Sequence, residues 1–181
     1  LISFSLLANP QPRFEILPCN PFYDPDTVTY RLFCDIYEVK FLKDYDIQVW
    51  CECTIGVYTT GPNKKKKPQN KKNSISLEWK NEDKYNDICL PAIVQNFPKD
   101  IASIPDIFIN LYTSSGTNKE RIGYCRLKTE QVMGWEPTPR WLQFNSLDMD
   151  KDSPGSVLVN LQFLLDTENT KRVFKQKGVS S

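Results

Sequence analysis

The chain has 181 residues, 40% of them hydrophobic and 25% charged, a size and balance that suit one globular domain with a sizeable core and are short for two. It carries 23 basic and 22 acidic residues, a formal charge of +1, and no histidine. Without imidazole there is no His-dependent triad, no histidine metal site and not the commonest general base; with seven glycines and no GxGxxG or GxxxxGK phrase, no phosphate-cradling loop of those kinds exists either, so an enzyme is not expected.

At the start, LISFSLL over 1–7 alternates Ile2, Phe4 and Leu6 with other residues and reads as a strand. Prolines through 9–26 forbid a regular ladder and predict an extended connection, so 1–28 is expected to be a strand from a preceding region plus a Pro-rich linker, the competing assignment being that the strand at 1–7 is an extra one pairing with this domain. The domain proper is expected over 29–165, as an all-β, eight-stranded antiparallel β-sandwich. Its strands are predicted at 30–39, 47–57, 74–79, 107–112, 122–127, 140–144 and 156–164, with a short one near 87–90. Short helical turns are predicted within 93–103 and 128–133. In IFINLY, Ile107, Ile109 and Leu111 alternate with Phe108, Asn110 and Tyr112, the period of a strand with one face in a core. The expected inward set is Leu32, Cys34, Ile36, Val49, Cys51, Ile55, Ile107, Ile109, Leu111, Val157, Val159 and Leu161. After Asp166 the sequence turns polar, and 166–181 is expected to be a linker or frayed end. The longest apolar runs, such as VLVNLQFLL, fall well short of the ~20 residues that span a bilayer. No charged-then-apolar leader opens the chain, and its start at Leu1 reads as that of a fragment.

Six cysteines, at 19, 34, 51, 53, 89 and 125, mostly occupy strand positions beside Val, Ile and Leu, the habit of buried reduced thiols. Cys51 and Cys53 share a strand face, but a zinc site needs four ligands and no second pair is available. The lack of a disulfide framework points to a cytosolic setting.

The conspicuous charged feature is GPNKKKKPQNKKNS, with Lys64, Lys65, Lys66, Lys67, Lys71 and Lys72. With 23 basic against 22 acidic residues the whole chain is +1; without these six, 17 against 22 leaves −5, so the basicity is local. Such a run attracts anionic headgroups at about 1 kcal/mol per lysine, with a reach of about 8 Å at physiological salt; the competing reading is a low-complexity insertion that touches nothing. Nucleic acid fits poorly, because no aromatic interleaves the lysines and the rest of the surface is net acidic. Trp50, opposite the inward face of its strand, and Trp135, in the loop MGWEPTP, are the aromatics expected to meet a membrane or a neighbouring domain, with packing on the linker as the alternative; Trp79 and Trp141 are expected to be structural.

The phrases FPKDIASIPDIFINLY, PRW and SPGSVLVNLQFLL, preceded by TYRLFCDIYEVKFLKDYDIQV, resemble the C2 domains of ferlins over about residues 29–165. The resemblance implies a C2 β-sandwich inside a large, tail-anchored, multi-C2 protein of vesicle trafficking, membrane fusion and regulated exocytosis, acting at the cytosolic face of membranes. It places Asp46 at the aspartate of the family's DPY phrase and the lysine run near a region that binds phosphoinositides in some C2 domains. It also implies where calcium ligands would stand. The first loop keeps Asp44 and Asp46, whereas the second reads Thr113, Ser114, Ser115, Gly116 and Thr117; two carboxylates cannot complete a shell of six to eight oxygens, so no cofactor is expected and calcium least of all. The expected partners are an anionic phospholipid membrane and adjacent C2 domains of the same protein. The alternative function is a scaffold that binds no lipid and packs against those neighbours.

Overall fold

The computed structural model describes residues 26–42, 47–71, 74–79, 81–82, 85–115, 118–148 and 152–173. The expected strand at 1–7, most of the Pro-rich connection, Cys19, Asp44, Asp46 and Lys72 lie outside them. In chain order, β1 (Thr27–Phe41), β2 (Val49–Ile55), β3 (Tyr58–Thr59), β4 (Gln69–Lys71) and β5 (Ser74–Glu78) precede a small hairpin of β6 (Asn81–Glu82) and β7 (Tyr85–Asn86). Then come β8 (Ile93–Pro98), a 3-10 turn at Ile101–Ser103, β9 (Ile107–Ser115), β10 (Asn118–Leu127), α1 (Thr129–Met133), β11 (Arg140–Gln143) and β12 (Gly155–Leu165).

Two sheets result, with antiparallel pairing throughout. The first runs β11-β12-β1-β5-β4 with β8 also on β1, and the second runs β10-β9-β2-β3. Three segments follow one another along the same edge of β1. Residues 38–41 pair with β5; Ile36 and Leu90 donate backbone N–H to Ile88 and Cys34 at 2.8 and 2.9 Å; residues 27–32 pair with β8. They act as one interrupted strand, so the first sheet has four main rows with the short β4 added on the edge of β5, and packs on the four of the second as an antiparallel sandwich. A bulge between Ile36 and Glu38 shifts the inward register of β1, which is why its buried positions step from Ile36 to Val39.

The twelve expected core residues are all buried at 1% exposure or less. Burying each contributes roughly 1.5–3 kcal/mol, the term that offsets chain entropy. One prediction needs correction: 93–98 is strand, and only 101–103 is helical in that region. Buried Ile93 and Phe97 stand four residues apart, a spacing that fits a helical turn and a period-two strand equally. The turn expected within 128–133 is α1.

Gly155 joins the sheet where no other residue fits. Its φ is +148°, and a Cβ there would lie 1.9 Å from the carbonyl oxygen of Lys40. At the other end of β12 the chain turns back over the outer face of the first sheet. The free linker expected from 166 is therefore corrected over 166–173. Asp166 pairs with Arg31 at 2.7 Å; the side chains of Asn160 and Gln162 donate to the Val173 carbonyl at 3.2 and 2.9 Å; the Val173 N–H donates to Gln162 Oε1 at 3.0 Å.

Candidate functional site

Alternation along β2 sends Cys51, Cys53 and Ile55 inward and Trp50, Glu52 and Thr54 to the outer face of the second sheet. Register aligns Trp50 with Tyr112 of β9, and Tyr112 with Arg121 of β10. The Trp50 and Tyr112 rings stack with centroids 5.9 Å apart and planes at 23°. Trp50 Nε1 donates to Glu52 Oε1 at 3.0 Å.

The lysine segment is fastened along the free edge of β2. Val49 and Lys66 exchange backbone hydrogen bonds at 2.9 and 3.1 Å, Asn63 N–H donates to the Cys51 carbonyl at 3.2 Å, and the Cys51 N–H donates to Asn63 Oδ1 at 2.8 Å. The carbonyl of Lys64 accepts from Trp79 Nε1 at 2.8 Å, which gives the buried indole its partner. Because consecutive side chains alternate, the run divides. Lys64 and Lys66 each bring Nζ to 3.6 Å from Asp87 Oδ2, and Lys66 also donates to the Glu78 carbonyl at 3.3 Å. Lys65 lies on the sheet face, its Nζ 4.3 Å from the Trp50 ring centroid.

From the other side, Lys119 of β10 brings its Nζ to 3.8 Å from the Tyr112 ring and donates to Glu52 Oε2 at 2.6 Å. Arg121, next along the same face, donates to Asn110 Oδ1 at 3.2 Å and lies 5.3 Å from the Tyr124 ring. The result is a stacked Trp–Tyr platform with an ammonium on each ring, one buried carboxylate beneath, and a guanidinium alongside. An aromatic face holds a cation without neutralising it, so Lys65 keeps its charge for an anion arriving from solvent, whereas Lys119 is also ion-paired with Glu52; three cations against one carboxylate leave the platform net positive.

Several expected site residues are placed differently from the sequence reading. The lysines whose side chains are described do not act as one patch: Lys65 belongs to the platform, Lys64 and Lys66 to Asp87, and Lys67 also has a partner. Lys71 is in β4, its side chain outside the description, as is all of Lys72. Trp50, expected to be exposed, is 3% exposed, its ring stacked with Tyr112 and covered by Lys65. Trp135, expected to project, is half-buried against the core with the Arg140 guanidinium 4.0 Å from its ring. Trp141, expected to be structural, is 42% exposed on the outer face of the first sheet. Lys119, Arg121 and Tyr112 were missed; their signal was the two-residue spacing of Lys119 and Arg121 in the strand that follows IFINLY.

At the end of the sandwich where β9 finishes, the described side chains are Thr113 and Ser114, and Thr113 Oγ1 donates to the Gln48 carbonyl at 3.1 Å. These offer no carboxylate to calcium, and among the described residues no group of three or more His, Cys, Asp or Glu could hold a metal. Cys34, Cys51, Cys53 and Cys125 are buried free thiols. Burial raises Cys34 and Cys51 well above the ordinary thiol range and pushes Cys125 up to about 12.

The fold is similar to the first of the lettered C2 domains, domain A, of a plant extended synaptotagmin 1, with a TM-score of 0.50 and 16% identity over 76% of this chain and 96% of that one. It is also similar to the paired C2 domains, A and B, of extended synaptotagmin 2, with a TM-score of 0.52 and 14% identity over 91% of this chain and 47% of that one. No family model matches the sequence, and no curated protein matches it. At these identities the likeness establishes the fold, an antiparallel C2-type β-sandwich.

Proposed function

We propose that this C2-fold module binds anionic phospholipid headgroups without calcium, on the outer face of its second sheet. The observation that carries the reading is the set of three cations, Lys65, Lys119 and Arg121, gathered against the single carboxylate of Glu52 on the stacked Trp50–Tyr112 face, which leaves that face net positive. Net of Glu52, two of these charges remain, each contributing about 1 kcal/mol near a negative leaflet, so a single domain binds weakly and in a salt-sensitive way; repeated domains in one protein would strengthen it by avidity. The ferlin-like phrases support a place in vesicle trafficking, membrane fusion and regulated exocytosis, on the cytosolic face of a vesicle or plasma membrane to which the whole protein is tail-anchored.

Co-sedimentation with phosphatidylcholine liposomes with and without phosphatidylserine or a phosphoinositide, in calcium and in chelator, tests the reading. Acidic-lipid-dependent, calcium-indifferent binding that falls when Lys64–Lys67 become glutamate supports it. No binding in any condition replaces it with the scaffold role, in which the module packs against neighbouring C2 domains.

A further inference from the structure

The first sheet carries a concavity on its own outer face, on the opposite side of the sandwich from the lysine platform. It has a volume of about 680 Å3 and lies where β1 ends and β12 begins. Register explains why it is open. Across the sheet, Gln143 stands beside Ser156, Ser156 beside Lys40, and Lys40 beside Ser76. Gly155 and Ser156 thus form a low floor beside Trp141, with the core-facing Leu142, Phe41 and Ile75 along its margin.

The lining is apolar with one charge. Trp141 is 42% exposed and Leu42, at the mouth, 67% exposed. Of the described residues around the concavity Lys40 alone is charged; its Nζ lies 4.4 Å from the Trp141 ring, and no described carboxylate lies within ion-pair distance of it. Glu38, on the same outer side of the bulge, is buried at 6%. A volume of this size falls within the range of ~300–1,000 Å3 that holds single small ligands, where apolar walls supply contact and a few polar groups set orientation.

We propose that this groove binds one acyl chain carrying an anionic head, the chain lying against Trp141 and Leu42 and the head at the Lys40 ammonium within reach of the Ser156 hydroxyl. An anion there displaces water from an ammonium whose described partner is only a ring, and the chain covers the exposed indole. The inference does not rest on the lysine platform. A phospholipid drawn from a bilayer and a free monomeric amphiphile share this chemistry.

Titration calorimetry on the full 181-residue chain tests it. The probes are dodecyl phosphate and dodecanoate below their micelle-forming concentrations, with inorganic phosphate and neutral dodecyl maltoside as controls. The expected result is one-to-one binding of both anionic amphiphiles, at least tenfold weaker for either control. Ser156→Phe, which fills the floor, is expected to weaken binding at least tenfold, and Lys40→Glu and the milder Lys40→Gln at least fivefold, with thermal unfolding confirming that each variant is folded. The double variant Lys65→Glu, Lys119→Glu is expected to leave this binding unchanged, which separates the groove from the platform. Competition by phosphatidic acid in phosphatidylcholine vesicles would make bilayer lipid the source; competition only by monomers would make it a free amphiphile. No binding of either anionic probe, equal binding of dodecyl maltoside, or full affinity in Ser156→Phe overturns the proposal.

Discussion

Arg172 brings its Nε to 3.5 Å from Oδ1 of Asp35, whose side chain is fully buried in the outer layer of the first sheet. The same guanidinium donates to the Leu90 carbonyl at 2.6 Å and lies 5.0 Å from the Phe33 ring. Asn160 donates to Asp35 Oδ2 at 3.2 Å, and Cys89 faces the same carboxylate. The 166–173 segment is thereby clamped to the sheet by a charge pair and its satellites.

Arg172→Ala is expected to cost about 2–4 kcal/mol at neutral pH, because it strands a buried carboxylate. The pH dependence has a definite sign. Burial holds the Asp35 carboxyl above the usual carboxylate range, opposed by Arg172. The native state therefore keeps this proton more tightly than the unfolded chain does, and this group's contribution becomes less favourable as pH rises from the unfolded value through the folded one. Removing Arg172 raises the carboxyl further, so the penalty is expected to shrink on acidification into the range where Asp35 is protonated. Urea unfolding of both proteins at pH 7 and near pH 4 checks this; a penalty that stays constant or grows in acid contradicts it.

Gly155→Ala is expected to destabilise by about 3 kcal/mol or more, from a positive φ and a direct clash with β1. Gly134, whose Cβ would meet only the Gln131 carbonyl at 3.6 Å, serves as the control, and Gly134→Ala is expected to change stability by less than about 1 kcal/mol. Denaturant midpoints of the two variants compare them directly.

The buried thiols predict a reactivity pattern. Cys34, Cys51, Cys53 and Cys125 are expected to resist alkylation of the native protein at pH 8 and to react on denaturation, since burial blocks access to all four and suppresses the thiolate of Cys34, Cys51 and Cys125. Cys89, half-buried and pushed up to about 11, is expected to react slowly. Mass spectrometry with peptide mapping reads the order, and rapid labelling of Cys51 or Cys53 in the native protein would contradict the buried assignment.

Asp87 gives a prediction of opposite sign to charge reversal. It holds Lys64 and Lys66 at 3.6 Å each. Asp87→Asn is expected to release both and to strengthen binding to phosphatidylserine vesicles about two- to fivefold, given about 1 kcal/mol at most per lysine. An unchanged or weaker interaction would mean that these two lysines do not reach the bilayer.

Much of the sandwich was legible because period-two apolar positions decide which side of a strand is buried, as in Ile107, Ile109 and Leu111. The interrupted third partner of β1 was less so, since Ile93 and Phe97 satisfy two periods at once. For the platform, the sequence places Trp50 on the outer side of β2 but is silent on what crosses it, and its cover comes from Lys65 and from the Tyr112 ring. The lysine run looked uniform because Asp87, which divides it, lies about twenty residues downstream. Trp141 looked structural because its neighbour Leu142 faces inward, and nothing local reveals that Gly155 and Ser156 leave space beside the indole.

The most direct measurement of the central claim is a salt titration of binding to phosphatidylserine vesicles in chelator, comparing the unaltered chain with the double variant Lys65→Glu, Lys119→Glu. The account predicts calcium-free binding that weakens as salt rises and that the double variant loses at least tenfold, with thermal unfolding confirming that the variant is folded. Binding that ignores salt, or that survives both substitutions, would contradict the assignment of the Trp50–Tyr112 platform as the lipid-binding face.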